Sequence, residues 1–230
     1  MSWLKIAVCA LVFLLALGIT LYPFVSNYLA EKYQSTAIAA YSDAISRMDD
    51  TTLMREREAA QQFNSTIGVT SMSGPDAISR LNAARDGYDD LLDVNNNGIM
   101  GYIRIPAIDV ELPIYLGATY DNMAAGAVHL SQTSLPIGSM NTNCVIAAHR
   151  GWYGAPYFRY IDVLKIGDEV TITNLWETLT YKVSEVKIID PDDVDEILIQ
   201  PGRELLTLVT CHPYASGGLY RYIVYCERVP

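Results

Sequence analysis

An uncharged apolar run of twenty residues, at positions 6–25, constrains this chain more than any other feature of its sequence. A helix needs roughly 20 apolar residues to cross a bilayer. A cleaved signal peptide is the alternative, but its apolar core usually has about 7–15 residues followed by small residues at a cleavage site. This run is longer, and "LYPFVSNYLAEKY" lacks that pattern. We therefore expect an uncleaved transmembrane signal anchor at residues 6–25, a cytoplasmic stub at 1–5, and the rest outside the cell.

The segment after the span, residues 26–97, is predicted to be an extracellular helical extension. Residues 27–64 contain no proline or glycine, and apolar residues recur there at steps of three and four, which is typical of an amphipathic helix. The sequence "GVTSMSGP" interrupts this pattern, and a second helix is expected from Pro75. The sequence "NNNG" then indicates a turn before residue 98. The apolar positions of the first helix are Ile38, Tyr41, Ile45 and Met48.

Residues 98–230 have the pattern of a β domain. Short runs rich in Val, Ile, Thr and Tyr are separated by turn residues, and "TYKVSEVKI" alternates apolar and polar positions. Seven or eight such strands with little helix predict a closed or nearly closed barrel. One short helix is expected in "YGAPYFRYIDVL".

The net charge and the cysteine count limit the classes of function that are expected. The net charge is −10 with no basic stripe, so binding to DNA or RNA through phosphate contacts is not expected. Three cysteines follow the span, namely Cys144, Cys211 and Cys226. Because three cysteines cannot all pair within one chain, at least one free thiol is expected.

Three residues with catalytic chemistry fall at the ends of predicted strands. Cys211 ends the run "LLTLV", His149 ends the run "CVIAA", and Arg221 begins the run "YIVY". If the strands of Cys211 and Arg221 pair as antiparallel neighbours, the thiol and the guanidinium lie side by side. A thiol nucleophile, a histidine acid and base, and an arginine donor to an oxyanion would then form one site.

Each residue also has an ordinary structural interpretation. A cysteine on an apolar strand is commonly an inert core thiol, and this applies above all to Cys144 and Cys226. A lone histidine or arginine at a strand end is commonly just solvated. A metal site of His149, Cys211 and His212 is disfavoured, because close ligand pairs are missing.

The motifs resemble those of the sortases. "TLVTC" followed by an arginine that opens a strand is similar to the sortase cysteine motif, and "AAHRGWYGAPYF" is similar to the histidine motif. "GYIRIPAIDVELPIYLGAT" resembles the first two strands, and "HLSQTSLPIGSMNTN" resembles the connection before the histidine strand. The likeness runs in order over residues 101–228 and is greatest to class C, the pilus-assembling sortases.

That resemblance implies a mainly β fold, an eight-stranded barrel behind an N-terminal helical extension and a membrane anchor. It implies a membrane-anchored cysteine transpeptidase of Gram-positive bacteria that cleaves LPXTG-type sorting signals. Cys211 would form the thioacyl enzyme, His149 would transfer protons, Arg221 would orient the substrate or stabilise the oxyanion, and Thr210 would line the substrate site. No cofactor is implied. The implied partners are pilins or other surface proteins with sorting signals, an acceptor amine from a pilin lysine or cell-wall precursor, and membrane lipid.

The sequence departs from the class C pattern in three places. The stretch "TSMSGPDAIS" lacks the Asp-Pro-aromatic motif of a lid, so a lidless or weakly lidded site is expected. A second anchor after the barrel is not expected, because the sequence ends in "YCERVP". His212 follows the cysteine where threonine is common, and it could compete with His149 as the base, although adjacent strand residues point to opposite faces. A class B or housekeeping cell-wall sortase, a thiol peptidase and a non-catalytic binding module remain alternatives.

Overall fold

The computed structural model describes residues 3–68, 87–151 and 155–229, and the β domain forms a closed eight-stranded barrel. The strand order around the barrel is β1-β2-β3-β4-β7-β8-β6-β5. The predicted barrel is therefore confirmed, and closure leaves no unpaired strand edge. The strands are β1 (Ile99–Ile105), β2 (Val110–Leu116), β3 (Ala127–His129), β4 (Thr142–Ala147), β5 (Glu169–Thr173), β6 (Thr178–Ile189), β7 (Glu204–His212) and β8 (Tyr220–Arg228).

The sequence patterns identified seven of these strands and missed β3. This strand has only three residues, and it pairs in parallel with β2 and antiparallel with β4. Parallel pairing of β4 with β7 also brings together strands that are distant in sequence. Both parallel pairs need crossover connections, and one of these contains a short helix, α3 (Tyr120–Ala125).

Two of the cysteines belong to the barrel core. Cys144 on β4 and Cys226 on β8 are both buried, with 3 % and 0 % exposure, and burial raises the pKa of each thiol. All four cysteines of the chain are unpaired. Cys144 and Cys226 therefore have the inert environment that the ordinary interpretation of a strand cysteine predicts.

The N-terminal helices differ in extent from the expectation. One helix, α1 (Trp3–Ser46), runs through the apolar segment and on into the extension without a break. A second, α2 (Asp50–Thr66), begins after a short turn, where the side chain of Asp49 accepts a 2.8 Å hydrogen bond from Thr52 N. The single helix predicted over residues 27–64 is therefore divided near residue 48. Asp49 is a favoured N-cap residue, and this capping signal explains the division.

The extension packs directly on the barrel. Tyr41 of α1 is fully buried, and its hydroxyl donates to the carbonyl of Met100 on β1 at 2.9 Å. Asn64 of α2 accepts from Leu135 N at 2.7 Å. The apolar stripe of α1 that the sequence indicated therefore faces the β domain.

Two expectations concern residues that the structure does not describe. The helix from Pro75 lies outside the described residues. The lid region, "TSMSGPDAIS", also lies there, so the lidless site stays a prediction.

Residues 155–163 contain only one short stretch of 3₁₀ helix, at Ile161–Val163. The short helix expected in this part of the chain therefore takes this tighter form. Phe158 N donates to the carbonyl of His149 at 3.0 Å, which closes the segment back onto the end of β4.

Candidate active site

Cys211 and Arg221 are direct cross-strand partners. Strands β7 and β8 pair antiparallel, with Cys211 opposite Arg221 and His212 opposite Tyr220. The side chains of directly opposed residues lie on the same face of a sheet. The adjacency expected from antiparallel pairing is therefore present, at the end of the hairpin where β7 leaves the apolar core.

The turn between these strands holds the arginine against the thiol. Arg221 Nη1 donates to the carbonyl of Gly218 at 2.8 Å and to that of Tyr220 at 3.2 Å. Gly218 has a φ of +88°, and a Cβ added to it would lie 3.2 Å from Cys211 Sγ and 3.0 Å from Arg221 Nη1. Glycine is required there both by the left-handed backbone and by the close approach.

His149 lies at the same end of the barrel as Cys211, next to the edge of β7 that pairs with β4. Strands β4 and β7 pair in parallel, with Ala147 opposite Val209. His149 lies two residues after Ala147, just past the end of β4, and Cys211 lies two residues after Val209 on β7, so both lie at the same end of the barrel. The imidazole is half-buried, and burial lowers its pKa from the usual value because desolvation disfavours the cation.

A pocket of about 240 Å³ contains all three groups. His149, Cys211 and Arg221 supply its reactive polar groups, and small or aliphatic side chains form most of the remaining wall. This arrangement offers an accessible sulfur, a titratable base and a fixed cation, which are the parts needed for acyl transfer through a thioester. The other lining residues are Ala118, Met123, Leu130, Ala147, Ala148, Val209 and Thr210.

Thr210 lines this pocket but its hydroxyl is engaged elsewhere. The residue is 2 % exposed, and Oγ1 donates to the carbonyl of Ala148 at 2.8 Å. This bond ties β7, one residue before the cysteine, to the backbone one residue before His149. Its predicted role in binding substrate stays a prediction, and the geometry adds a role in holding the two strand ends together.

On the face of β7 away from Cys211, a second contact connects the same two strand ends. Arg150 follows His149, is 7 % exposed, and donates through Nη1 to His212 Nδ1 at 2.7 Å. Its Nη2 atom lies 2.5 Å from Asp162 Oδ2, and its guanidinium lies 5.6 Å from the ring centre of Tyr222. We call Arg150, His212 and Asp162 the clamp.

The position of His212 bears on whether it competes with His149 as the base. Its Nδ1 accepts a hydrogen bond from Arg150, and the residue is not part of the pocket wall. This matches the expectation that neighbours on a strand face opposite ways.

Sequence reasoning missed the clamp, the role of Gly218 and a buried histidine. His129 is fully buried between Tyr88, whose hydroxyl lies 2.8 Å from Nδ1, and the carbonyl of Ser134, 2.8 Å from Nε2. Burial lowers the pKa of His129 to about 4. The dipeptides "HR" and "CH" could have indicated the clamp, because side chains alternate along a strand and the second residue of each dipeptide therefore faces away from the first.

Comparisons with known proteins agree with this architecture. The Sortase domain family matches residues 103–229. Sortase D of Bacillus subtilis (strain 168) is 34% identical over 131 residues, which cover 56% of this chain and 63% of that protein. The match thus spans less than two thirds of that relative.

Solved structures resemble the chain over a greater length. Sortase C of Streptococcus pneumoniae has a TM-score of 0.76 and 34% identity, covering 85% of this chain and 97% of that one. Sortase C1 of Streptococcus agalactiae has a TM-score of 0.75 and 33% identity, covering 85% and 98% respectively.

Proposed function

The chain belongs to the sortase family, and from that premise we propose that it is a membrane-anchored cysteine transpeptidase that joins a sorting-signal protein to an amine. The observation that carries this proposal is the convergence of Cys211, His149 and Arg221 on one pocket at the end of three adjacent strands. Each group matches a part of the chemistry that acyl transfer requires.

In the proposed first step, Cys211 Sγ attacks the carbonyl carbon of the peptide bond after the threonine of an LPXTG-type signal. His149 takes the proton of the Cys211 thiol as the sulfur attacks, and gives that proton to the leaving amine when the carbon–nitrogen bond breaks; the acyl group stays on sulfur as a thioester. Arg221, held by the carbonyl groups of its own turn, donates to the oxygen that becomes negative.

In the second step, an incoming amine attacks the thioester carbon. His149 takes the proton that this amine loses, and the sulfur leaves as the thiolate. The lowered pKa of His149 supports its use as a base, because a half-buried imidazole stays neutral at pH values where an exposed one begins to protonate.

We propose that α1 is the anchor and that the barrel lies outside the cell. Helix α1 contains an apolar window with mean hydropathy 2.5, long enough to span a bilayer, and none of that window is buried. Sorting signals on exported proteins are reached only from that side of the membrane.

We propose a pilin lysine as the acceptor. Sortase C structures from Streptococcus pneumoniae and Streptococcus agalactiae resemble this chain over most of its length, and pilin substrate specificity is described for the Streptococcus pneumoniae protein. A cell-wall amine and water are the competing acceptors, and the products distinguish them.

The test uses the full chain in lipid nanodiscs with a peptide that carries an LPXTG-type signal. Intact-protein mass spectrometry is expected to find one acyl adduct on the wild-type chain and none on Cys211→Ala. The matched control is Cys226→Ala, which removes a buried thiol and is expected to keep the adduct. An adduct on Cys211→Ala would contradict the assignment.

A second experiment identifies the acceptor. A lysine-containing pilin peptide and a short glycine peptide compete for the preformed thioester, and the masses of the products are compared. An excess of the isopeptide product supports pilus polymerisation. Preferential transfer to the glycine amine, or hydrolysis alone, would refute it.

A further inference from the structure

The barrel lies close to the end of the membrane span because a continuous helix joins them. Helix α1 passes from the apolar segment to Ser46 without interruption, and it packs against β1 through the buried Tyr41. Gln34, about two turns nearer the span, is also buried, with 7 % exposure. A helix rises about 1.5 Å per residue, so Gln34 is roughly 14 Å from the end of the apolar run at residue 25.

Part of the β domain lies beside α1 still nearer to the apolar run than Gln34 does. A groove is lined on one side by Pro23, Phe24 and Tyr28 of the helix, and on the other by Ile108, Arg159 and Tyr160 of the β domain. Pro23 and Phe24 are among the last residues of the apolar run. The β-domain side of the groove therefore sits at the depth of the outer headgroups.

We propose that Arg159 and Tyr160 form a second membrane contact, which binds phospholipid headgroups and holds the barrel against the bilayer. This inference rests on the proposed anchoring by α1. Its occupant is the lipid surface itself, because the groove continues directly from the span. We call these two residues the headgroup contact.

The chemistry of both side chains suits that depth. Arg159 is exposed, and a guanidinium forms paired hydrogen bonds with phosphate oxygens. Tyr160 is 50 % exposed, and tyrosine concentrates where an apolar ring and a polar hydroxyl meet a bilayer surface. Glu31 and Asp109 line the same groove and repel phosphate, so the contact is confined to its Arg159 side.

The headgroup contact also adjoins the turn that carries Gly218. The guanidinium of Arg159 lies 4.5 Å from the ring centre of Tyr214, which is in the β7–β8 turn. A cation at this distance is attracted to the face of the ring. The lipid surface, the headgroup contact and the turn beside Cys211 are therefore contiguous, and the active site is held next to the bilayer.

The test measures depth by fluorescence quenching in the full chain, reconstituted in nanodiscs of phosphatidylcholine and phosphatidylglycerol. Single thiols are labelled with a small fluorophore in a Cys211→Ala background, in which Cys144 and Cys226 are buried. The reporter is Tyr160→Cys in the Cys9→Ser chain. Its matched control is Met140→Cys in the same chain, because Met140 is 58 % exposed and precedes β4 at the end away from His149.

The native Cys9, labelled without the Cys9→Ser change, reports the anchor separately. It lies inside the apolar run, roughly 5 Å from its cytoplasmic end at a rise of about 1.5 Å per residue, and is expected to be quenched by lipids that carry a spin label on the acyl chain. The label at position 160 is expected to be quenched by shallow, headgroup-level spin labels roughly twofold or more above the label at position 140, since interfacial aromatics lie at headgroup depth. Arg159→Glu is expected to reduce that difference.

The outcomes separate the two proposals. Quenching of Cys9 by acyl-chain spin labels, together with equal, water-like quenching at positions 160 and 140, overturns the headgroup contact and leaves the anchor in place. No lipid quenching at Cys9 overturns the anchor and, with it, the headgroup contact.

Discussion

Replacing Thr210 with valine tests whether this residue binds substrate or holds the active site together. Valine has nearly the same shape as threonine, so packing is kept and one hydrogen bond to the Ala148 carbonyl is lost. Thr210 is 2 % exposed, so water does not replace the bond. A buried acceptor left without a partner costs about 1–3 kcal/mol.

We expect a net loss of about 1–2 kcal/mol in the free energy of unfolding, since the valine methyl recovers part of the cost by burial. In a protein of this size, that corresponds to a decrease in Tm of roughly 2–8 °C. Because Ala148 precedes His149, we also expect kcat to fall while KM for the signal peptide changes little.

The assay combines thermal unfolding in nanodiscs with steady-state transpeptidation. Thr210→Ser keeps the hydroxyl and is expected to retain most of the stability and kcat. A valine variant with unchanged Tm and a raised KM would refute the structural role, and would support the substrate-binding role predicted from the sequence.

Three further predictions address other parts of the site. Arg150→Met removes the ion pair with the partly exposed Asp162 and should lower the free energy of unfolding by about 1–3 kcal/mol. Arg150→Lys should have an intermediate stability. Equal stability of the wild type and both variants would contradict the clamp. Gly218→Ala should lower kcat/KM roughly tenfold to a hundredfold because its Cβ crowds the Cys211 thiol. Gly217→Ala has the same left-handed backbone in open space, and an equal loss there would indicate backbone strain instead. The ring NMR signal of His129 should titrate near pH 4, because burial disfavours its cation and lowers its pKa to about 4; a transition near pH 6.5 would refute this.

The sequence was sufficient to place the three candidate catalytic residues, because the end of a strand is marked by residues that are close together in the sequence. The apolar runs that precede His149 and Cys211, and the one that follows Arg221, fix where each strand leaves the core. The β7–β8 pairing is also local, since the turn between Cys211 and Arg221 is short. Both features depend on patterns within about ten residues.

The missed features depend on contacts between distant segments. Strand β3 is three residues long and fully buried, so it shows no alternation, and its pairing with β2 and β4 is set by the barrel. The sequence also did not show whether the apolar run and the polar extension form one helix, because the change from apolar to polar residues resembles a change of element. Asp49, which does end the helical pattern, is a single capping residue.

Strand register decides whether the three candidate catalytic residues line one pocket. His149 and Cys211 line the same pocket because parallel β4 and β7 are aligned, and Arg221 joins them because β8 is aligned with β7. A slip of one residue in β7 would turn Cys211 away from the pocket and His212 into it. The clamp opposes that slip, since Arg150 binds His212 only when His212 faces outward. Thr210 opposes it from the adjacent position through Ala148. The two bonds bracket the cysteine, so the same alternation that aims the thiol at the pocket also supplies the contacts that keep it there.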